Sequence, residues 1–293
     1  MRYDAGEVIT AMITPFNKDL TIDFPSLEKL VNHLIATGTD AILVAGTTGE
    51  TPTLTHEEEA QIFEFVKKVV NGRVKIIMGT GSNCTQTAVE SAINAEKNGA
   101  DAILTVVPYY NKPSQKGMYE HFSAVAKAVK LPIILYNIPG RTGVNMQPAT
   151  IAKIAKEFKN IVAIKQSNSD LDLISDIKSL CPEDFTVYSG DDSLTLPMMS
   201  IGAHGVISVA SHIQGNKVKQ MIKAFKAGNN NEALKLHLDL YPLFRKLFMA
   251  PNPVPVKAAL ALKGIIKESV VRRPLVELDN DELTELKSVL NKY

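Results

Sequence analysis

The amino-acid sequence predicts an α/β fold, a (β/α)8 (TIM) barrel with a C-terminal helical appendage. Three observations lead there. Eight short β-branched runs alternate with longer amphipathic stretches. The runs are nearly continuous in apolar residues, the mark of parallel strands covered by helices on the sheet face. No GxGxxG turn follows the first run, so an open dinucleotide-binding sheet lacks its main signal. Eight units in about 210 residues fit a closed barrel better than an open sheet.

The strands read in order as "VITAMITPF" (8–16), "AILVAG" (41–46), "KIIMGTG" (75–81) and "AILTVVP" (102–108). "PIILYNIP" (132–139), "IVAIKQS" (161–167), "FTVYSG" (185–190) and "GVISVAS" (205–211) complete the set. Helical periodicity fills the gaps, as in "HEEEAQIFEFVKKVVNG" and "CTQTAVESAINAEKNGA". Thr55 with Glu58 three residues on is a capping box, and Asn71-Gly72 and Asn98-Gly99 are stop signals. After residue 212 only helices follow: "GNKVKQMIKAFKAG", "NEALKLHLDLYPLFRKLF", "PVPVKAALALKG" and "DELTELKSVLNKY". The first completes the barrel, which sets a catalytic domain at 1–228 and a helical region at 229–293.

Bulk properties narrow the function. Of 293 residues, 32 are basic and 31 acidic, for a formal net charge of +1 without a long run of like charge, so nucleic acid is not an expected partner. Cys84 and Cys181 make neither a disulfide framework nor a metal-ligand spacing, which suits a reducing cytosol. The first residues lack a signal-peptide stretch, and no segment approaches the roughly 20 apolar residues of a membrane helix. A cytoplasmic enzyme without a membrane partner is expected.

In a barrel of this kind the active site lies at the C-terminal ends of the strands. Those ends carry "GTTGE", "GTGSN", "PYYNKP", "YNIPGRTG", Lys165 and "SGDD". Side chains alternate along a strand, so Ala163 and Lys165 share one face and Val162 and Ile164 the other. With the branched pair against the helices, Lys165 points into the barrel above a small residue. Burial disfavours the charged form of an amine, and a neutral amine is the nucleophile that forms a Schiff base with a carbonyl. The other reading is a lysine that reaches from its strand end to water and pairs with a carboxylate.

Tyr136 shares a face with Ile134 on the preceding strand, so the same parity turns it inward beside Lys165. Imine formation needs a proton shuttle, which a tyrosine can supply; an aromatic core residue is the alternative. The backbone N–H groups and hydroxyls of Thr47 and Thr48 suit a carboxylate, or else simply close a βα turn. Asp191 and Asp192 would repel a dianion, which favours a carboxylate over a sugar phosphate. Arg141 can grip a second carboxylate in bidentate fashion, or lie solvated at the surface. Tyr109 and Tyr110, between Pro108 and Pro113, suggest an interface.

The set "GTTGE", "PYYNKP", "YNIPGRTG", "AIKQS", "SGDD" and "GAHGVISV", with "GEVITAMITPF" before it and "PNPVPVKAAL" after it, resembles the pyruvate-dependent class I aldolases. Within that family the resemblance is to the dihydrodipicolinate synthase branch, with N-acetylneuraminate lyase a sister, and it spans nearly the whole chain. It implies a lyase of lysine and diaminopimelate biosynthesis that condenses pyruvate with L-aspartate 4-semialdehyde. The resemblance makes Lys165 the Schiff-base lysine. It makes Tyr136, Thr47 and Tyr110 a proton relay, with Tyr110 reaching in from a neighbouring subunit. Thr48 then binds the pyruvate carboxylate and Ile207 lines the pyruvate pocket. Arg141 holds the carboxylate of the second substrate, with Gly190 nearby. The imine is the electron sink, so no metal or cofactor is expected.

Many members of that family are inhibited by lysine at a dimer interface. His56, Asn83 and Tyr109 match that site, whereas Glu59 and Thr87 replace a histidine and a glutamate of the strongly inhibited enzymes. Weak or absent inhibition is the expectation. The resemblance also implies a homotetramer, a dimer of dimers, or a homodimer. The sister aldolases, which act on sugar acids, are the alternative function; a phosphate-handling isomerase is opposed by the acidic seventh loop, and a non-catalytic barrel would leave Lys165 unreactive.

Overall fold

The structure, a computed structural model, describes residues 4–293. Eight strands form a closed parallel barrel in sequence order. They are β1 (Val8–Ala11), β2 (Ala41–Val44), β3 (Lys75–Gly79), β4 (Ala102–Val106), β5 (Ile133–Asn137), β6 (Ile161–Gln166), β7 (Thr186–Ser189) and β8 (Gly205–Ser208). Each expected strand is present but shorter at its C-terminal end. Pro15, Pro108 and Pro139 lie beyond the observed ends of β1, β4 and β5, where a residue without an N–H cannot donate to a ladder.

Between the strands run α1 (Phe24–Ala36), α2 (His56–Val70), α3 (Thr85–Asn98), α4 (Gln115–Ala128), the short α5 (Pro139–Thr142), α6 (Pro148–Glu157), α7 (Leu171–Leu180) and α8 (Thr195–Ser200). After β8 come α9 (Ser211–Lys226), α10 (Asn230–Lys246), α11 (Val254–Leu262) and α12 (Asn280–Leu290). The local signals explain the ends. Thr55 and Glu58 form the reciprocal capping box of α2, and Asn71 ends that helix in the left-handed region. Gly99 does the same for α3. α9 begins four residues before the expected Gly215, and Gln214 breaks its helical geometry (φ −134°). A Cβ on Gly215 would lie 2.5 Å from the Thr37 carbonyl oxygen, so only glycine lets α9 approach the end of α1.

By contacts the chain divides into two compact units. One is built mainly from Ile76–Ile207, the other from Gly6–Lys75 and Ser208–Tyr293. Within the first, β4, β5, β6 and β7 pair in parallel, and α3, α4, α6 and α7 pack in succession. Its core is aliphatic, with Ile103, Ile133, Ile134, Leu135, Ala163, Ile164 and Val187 all fully buried. Within the second, β1 pairs with β2 and packs on α9, which in turn packs on α10. α11 is apolar except at Lys257 and buried over Val254–Leu260, as a helix without a solvent face there must be.

Candidate active site

In the Ile76–Ile207 unit, parallel pairing sets Tyr136 of β5 directly in register with Lys165 of β6. Partnered residues of a ladder point to the same side, so the parity of two separate strands brings the two side chains together. Lys165 is 6% exposed and Tyr136 5% exposed. The Lys165 Nζ lies 4.3 Å from the centroid of the Tyr136 ring. The ring face therefore meets the amine, and no hydrogen bond joins it to the hydroxyl in this arrangement. Among the described residues Lys165 has no carboxylate partner either. An amine so placed is sheltered and not committed to an ion pair.

Gly190 follows β7, and its N–H donates to the Gln166 carbonyl. A Cβ there would lie 1.9 Å from Ser167 Oγ and 2.9 Å from Lys165 Cε. The missing side chain is what makes room for the lysine stem. Ile207, in β8, is buried. Asp191 accepts from the N–H and hydroxyl of Ser193, so its carboxylate caps the next turn.

Arg141 is exposed on α5. The loop that carries it is tied to its strand by Asn137, which is fully buried. The Asn137 Oδ1 accepts from the Met146 N–H at 3.1 Å, and its Nδ2 donates to Asn145 Oδ1 at 2.7 Å and Gln166 Oε1 at 3.2 Å. Tyr109 is 40% exposed and Tyr110 88% exposed, with Tyr110 in the left-handed region (φ 69°). That backbone is uncommon for a bulky residue.

In the other unit, "GTTGE" forms a 3-10 turn over Thr47–Gly49. Thr47 and Thr48 head the turn, where backbone N–H groups have no partner within the helix. Thr48 is buried, and its hydroxyl accepts from Asn252 Nδ2 at 2.9 Å. Glu50 closes the turn with φ 59° and is buried. Its carboxylate takes Lys257 Nζ at 2.6 Å and the Arg272 N–H at 2.9 Å. Burial draws the Lys257 amine down to about 8 against the opposing pull of Glu50. Arg272 also forks onto Glu58, and those hydrogen bonds hold its guanidinium above the usual range.

Of the residues matched to a lysine site, His56 lies in this second unit, where its Nδ1 is 3.2 Å from Glu59 Oε2. Burial raises the Glu59 carboxyl. Asn83 and Tyr109 lie in the first unit, where the Asn83 carbonyl accepts from Asn111.

The structure thus unites Lys165, Tyr136 and Gly190 around one amine, and Thr47 and Thr48 in one turn. Sequence reasoning missed Asn137, Asn252, Glu50 and Lys257. Lys257 carried the same signal as Lys165, a lysine inside an apolar run ("VPVKAALAL"), whereas nothing local marked the two asparagines.

A model of the dihydrodipicolinate synthetase family matches residues 4–293. The 4-hydroxy-tetrahydrodipicolinate synthase of Bacillus subtilis is 50% identical over 287 residues, 98% of this chain and 99% of that one. The crystal structure of a dihydrodipicolinate synthase from Bacillus anthracis is similar with a TM-score of 0.96 and 48% identity, covering 99% of each chain. A synthase from Acinetobacter baumannii, complexed with pyruvate, is similar with a TM-score of 0.95 and 40% identity, again over 99% of each chain.

Proposed function

The chain belongs to the dihydrodipicolinate synthetase family, and on that premise we propose that it condenses pyruvate with L-aspartate 4-semialdehyde through a Schiff base on Lys165. The activity is that of a lyase of the class I aldolase type, the 4-hydroxy-tetrahydrodipicolinate synthase reaction of lysine and diaminopimelate biosynthesis. One observation carries the assignment of the nucleophile. Lys165 is a buried amine at a strand end, beside an in-register tyrosine and without a carboxylate partner among the described residues.

The chemistry runs as follows. The Lys165 nitrogen adds to the pyruvate ketone carbon, and loss of water leaves a cationic imine. Loss of a methyl proton gives an enamine, with the imine nitrogen as electron sink. The enamine carbon attacks the aldehyde carbon of the semialdehyde. The amine of that substrate then displaces lysine by transimination, which closes the ring and frees the enzyme. Tyr136, Thr47 and Tyr110 move the protons in this proposal, with Tyr110 supplied by a neighbouring copy. Its 88% exposure supports that role. Thr48 takes the pyruvate carboxylate, Ile207 lines the pyruvate site, and Arg141 takes the carboxylate of the second substrate, near Gly190.

We assign residues 1–228 to the catalytic barrel and 229–293 to a helical region, and the assembly to a homotetramer or homodimer in the cytoplasm. Exposed Leu234, Leu238 and Tyr241 on α10 are apolar surface that such an assembly would cover. Among the described residues no helix is long and apolar enough to cross a membrane. Lysine should inhibit weakly or not at all, because Glu59 is already engaged by His56 and position 87 lacks a carboxylate; sub-millimolar inhibition in a steady-state assay refutes this.

Borohydride reduction in the presence of pyruvate, followed by peptide mapping, tests the central claim. A reduced adduct on the peptide that contains Lys165 is the expected result. An unmodified Lys165 in active enzyme rejects it.

A further inference from the structure

We propose that Asn252 is a positioning residue for the substrate carboxylate: its amide N–H donates to the Thr48 hydroxyl oxygen and so reserves the hydroxyl proton for the anion. The inference rests on the assignment of Thr48 to that carboxylate. A hydroxyl has one proton and two lone pairs. With Asn252 Nδ2 at 2.9 Å occupying one lone pair, the Thr48 proton has no acceptor of its own among the described residues. It is left to point at whatever anion enters.

Asn252 is 8% exposed, and among the described residues its buried Oδ1 has no partner. Geometry also holds the donor in place. Five residues after Asn252, Lys257 pairs with Glu50 at 2.6 Å, both side chains fully enclosed. Asn252 thus holds the middle of the Thr47–Gly49 turn, and Lys257 the residue that closes it. The 252–257 segment cannot slide without breaking a buried ion pair.

The chemistry at position 252 is therefore directional. Aspartate has the same size and only accepts. In its place it would take the Thr48 proton and set a negative charge beside the incoming carboxylate. Asn252→Asp should raise the pyruvate KM by at least about tenfold, the scale of one charge-assisted hydrogen bond, while kcat changes far less. Asn252→Ala should raise it in the same direction by a smaller factor.

The test compares two ketones in borohydride trapping, pyruvate and its uncharged methyl ester. Wild-type trapping by pyruvate is measured first, and its failure would reject the Schiff-base reading itself. Given that trapping, Asn252→Asp should lose pyruvate capture selectively and retain capture of the ester. Equal loss of both ketones, or a pyruvate KM unchanged from wild type, overturns the proposal. If thermal melting shows that Asn252→Asp is unfolded, Asn252→Ala decides: a selective loss of the acid supports the role, and an equal loss of acid and ester overturns it.

Discussion

Lys165 Nζ sits 4.3 Å above the ring of Tyr136, its in-register neighbour on β5, and the aromatic face rather than the phenol oxygen meets the amine. The ring and the hydroxyl can therefore be separated by substitution. Tyr136→Phe keeps the face beneath the amine and removes only the proton carrier. Its kcat should fall about 100-fold, within the usual range for loss of a general acid-base group, with little change in melting temperature. Both Tyr136→Phe and Tyr136→Leu, which removes the ring as well, should slow trapping by pyruvate, the second more than the first.

Gly190 controls the space that the lysine stem occupies. Gly190→Ala would place a methyl 1.9 Å from Ser167 Oγ and 2.9 Å from Lys165 Cε. Displacing the amine by about 1 Å should cost on the order of 100-fold in rate. Adding Ser167→Gly relieves the closer clash but leaves the one with Lys165. The double variant should regain melting temperature without regaining rate, which paired melting and kinetic measurements would show.

Asn137 ties the Arg141 loop to β5 through Met146 and Asn145. Asn137→Ala should raise the KM of the second substrate by about tenfold, the equivalent of one good hydrogen bond lost at Arg141. Trapping by pyruvate alone should be unaffected. A matching rise in both KM values would mean that the substitution disturbs the strand rather than the loop.

Acid stability follows from two buried histidines. Burial pushes both His121 and His212 down to about 4 from the ordinary 6.5. Burial holds His212 neutral against the opposing pull of the Val209 carbonyl, to which its Nδ1 donates, while its Nε2 accepts from the Ile13 N–H. Between pH 6.5 and 4 the unfolded chain binds protons that the folded chain refuses. The stability from each histidine is complete above pH 6.5 and is lost as pH falls through that window, by about 3 kcal/mol each at full effect. Denaturant titrations from pH 7 to 4 should show this slope, and His121→Gln should reduce it.

Much of this protein is readable from local pattern. Apolar runs separated by helical periods specified eight strands in order, and Thr55 with Glu58 specified where α2 begins. Alternation along two strands placed Lys165 and Tyr136 on one face, because side-chain direction repeats every two residues whatever the surrounding fold. The tertiary structure decided what those patterns do not encode. It set the amine over the ring, cleared space for it at Gly190, and clamped the Arg141 loop with Asn137. It also joined Lys257 to Glu50 across 207 residues and Asn252 to Thr48 across 204. Such contacts depend on which distant atoms packing brings within 3 Å or so, and no local period carries that information.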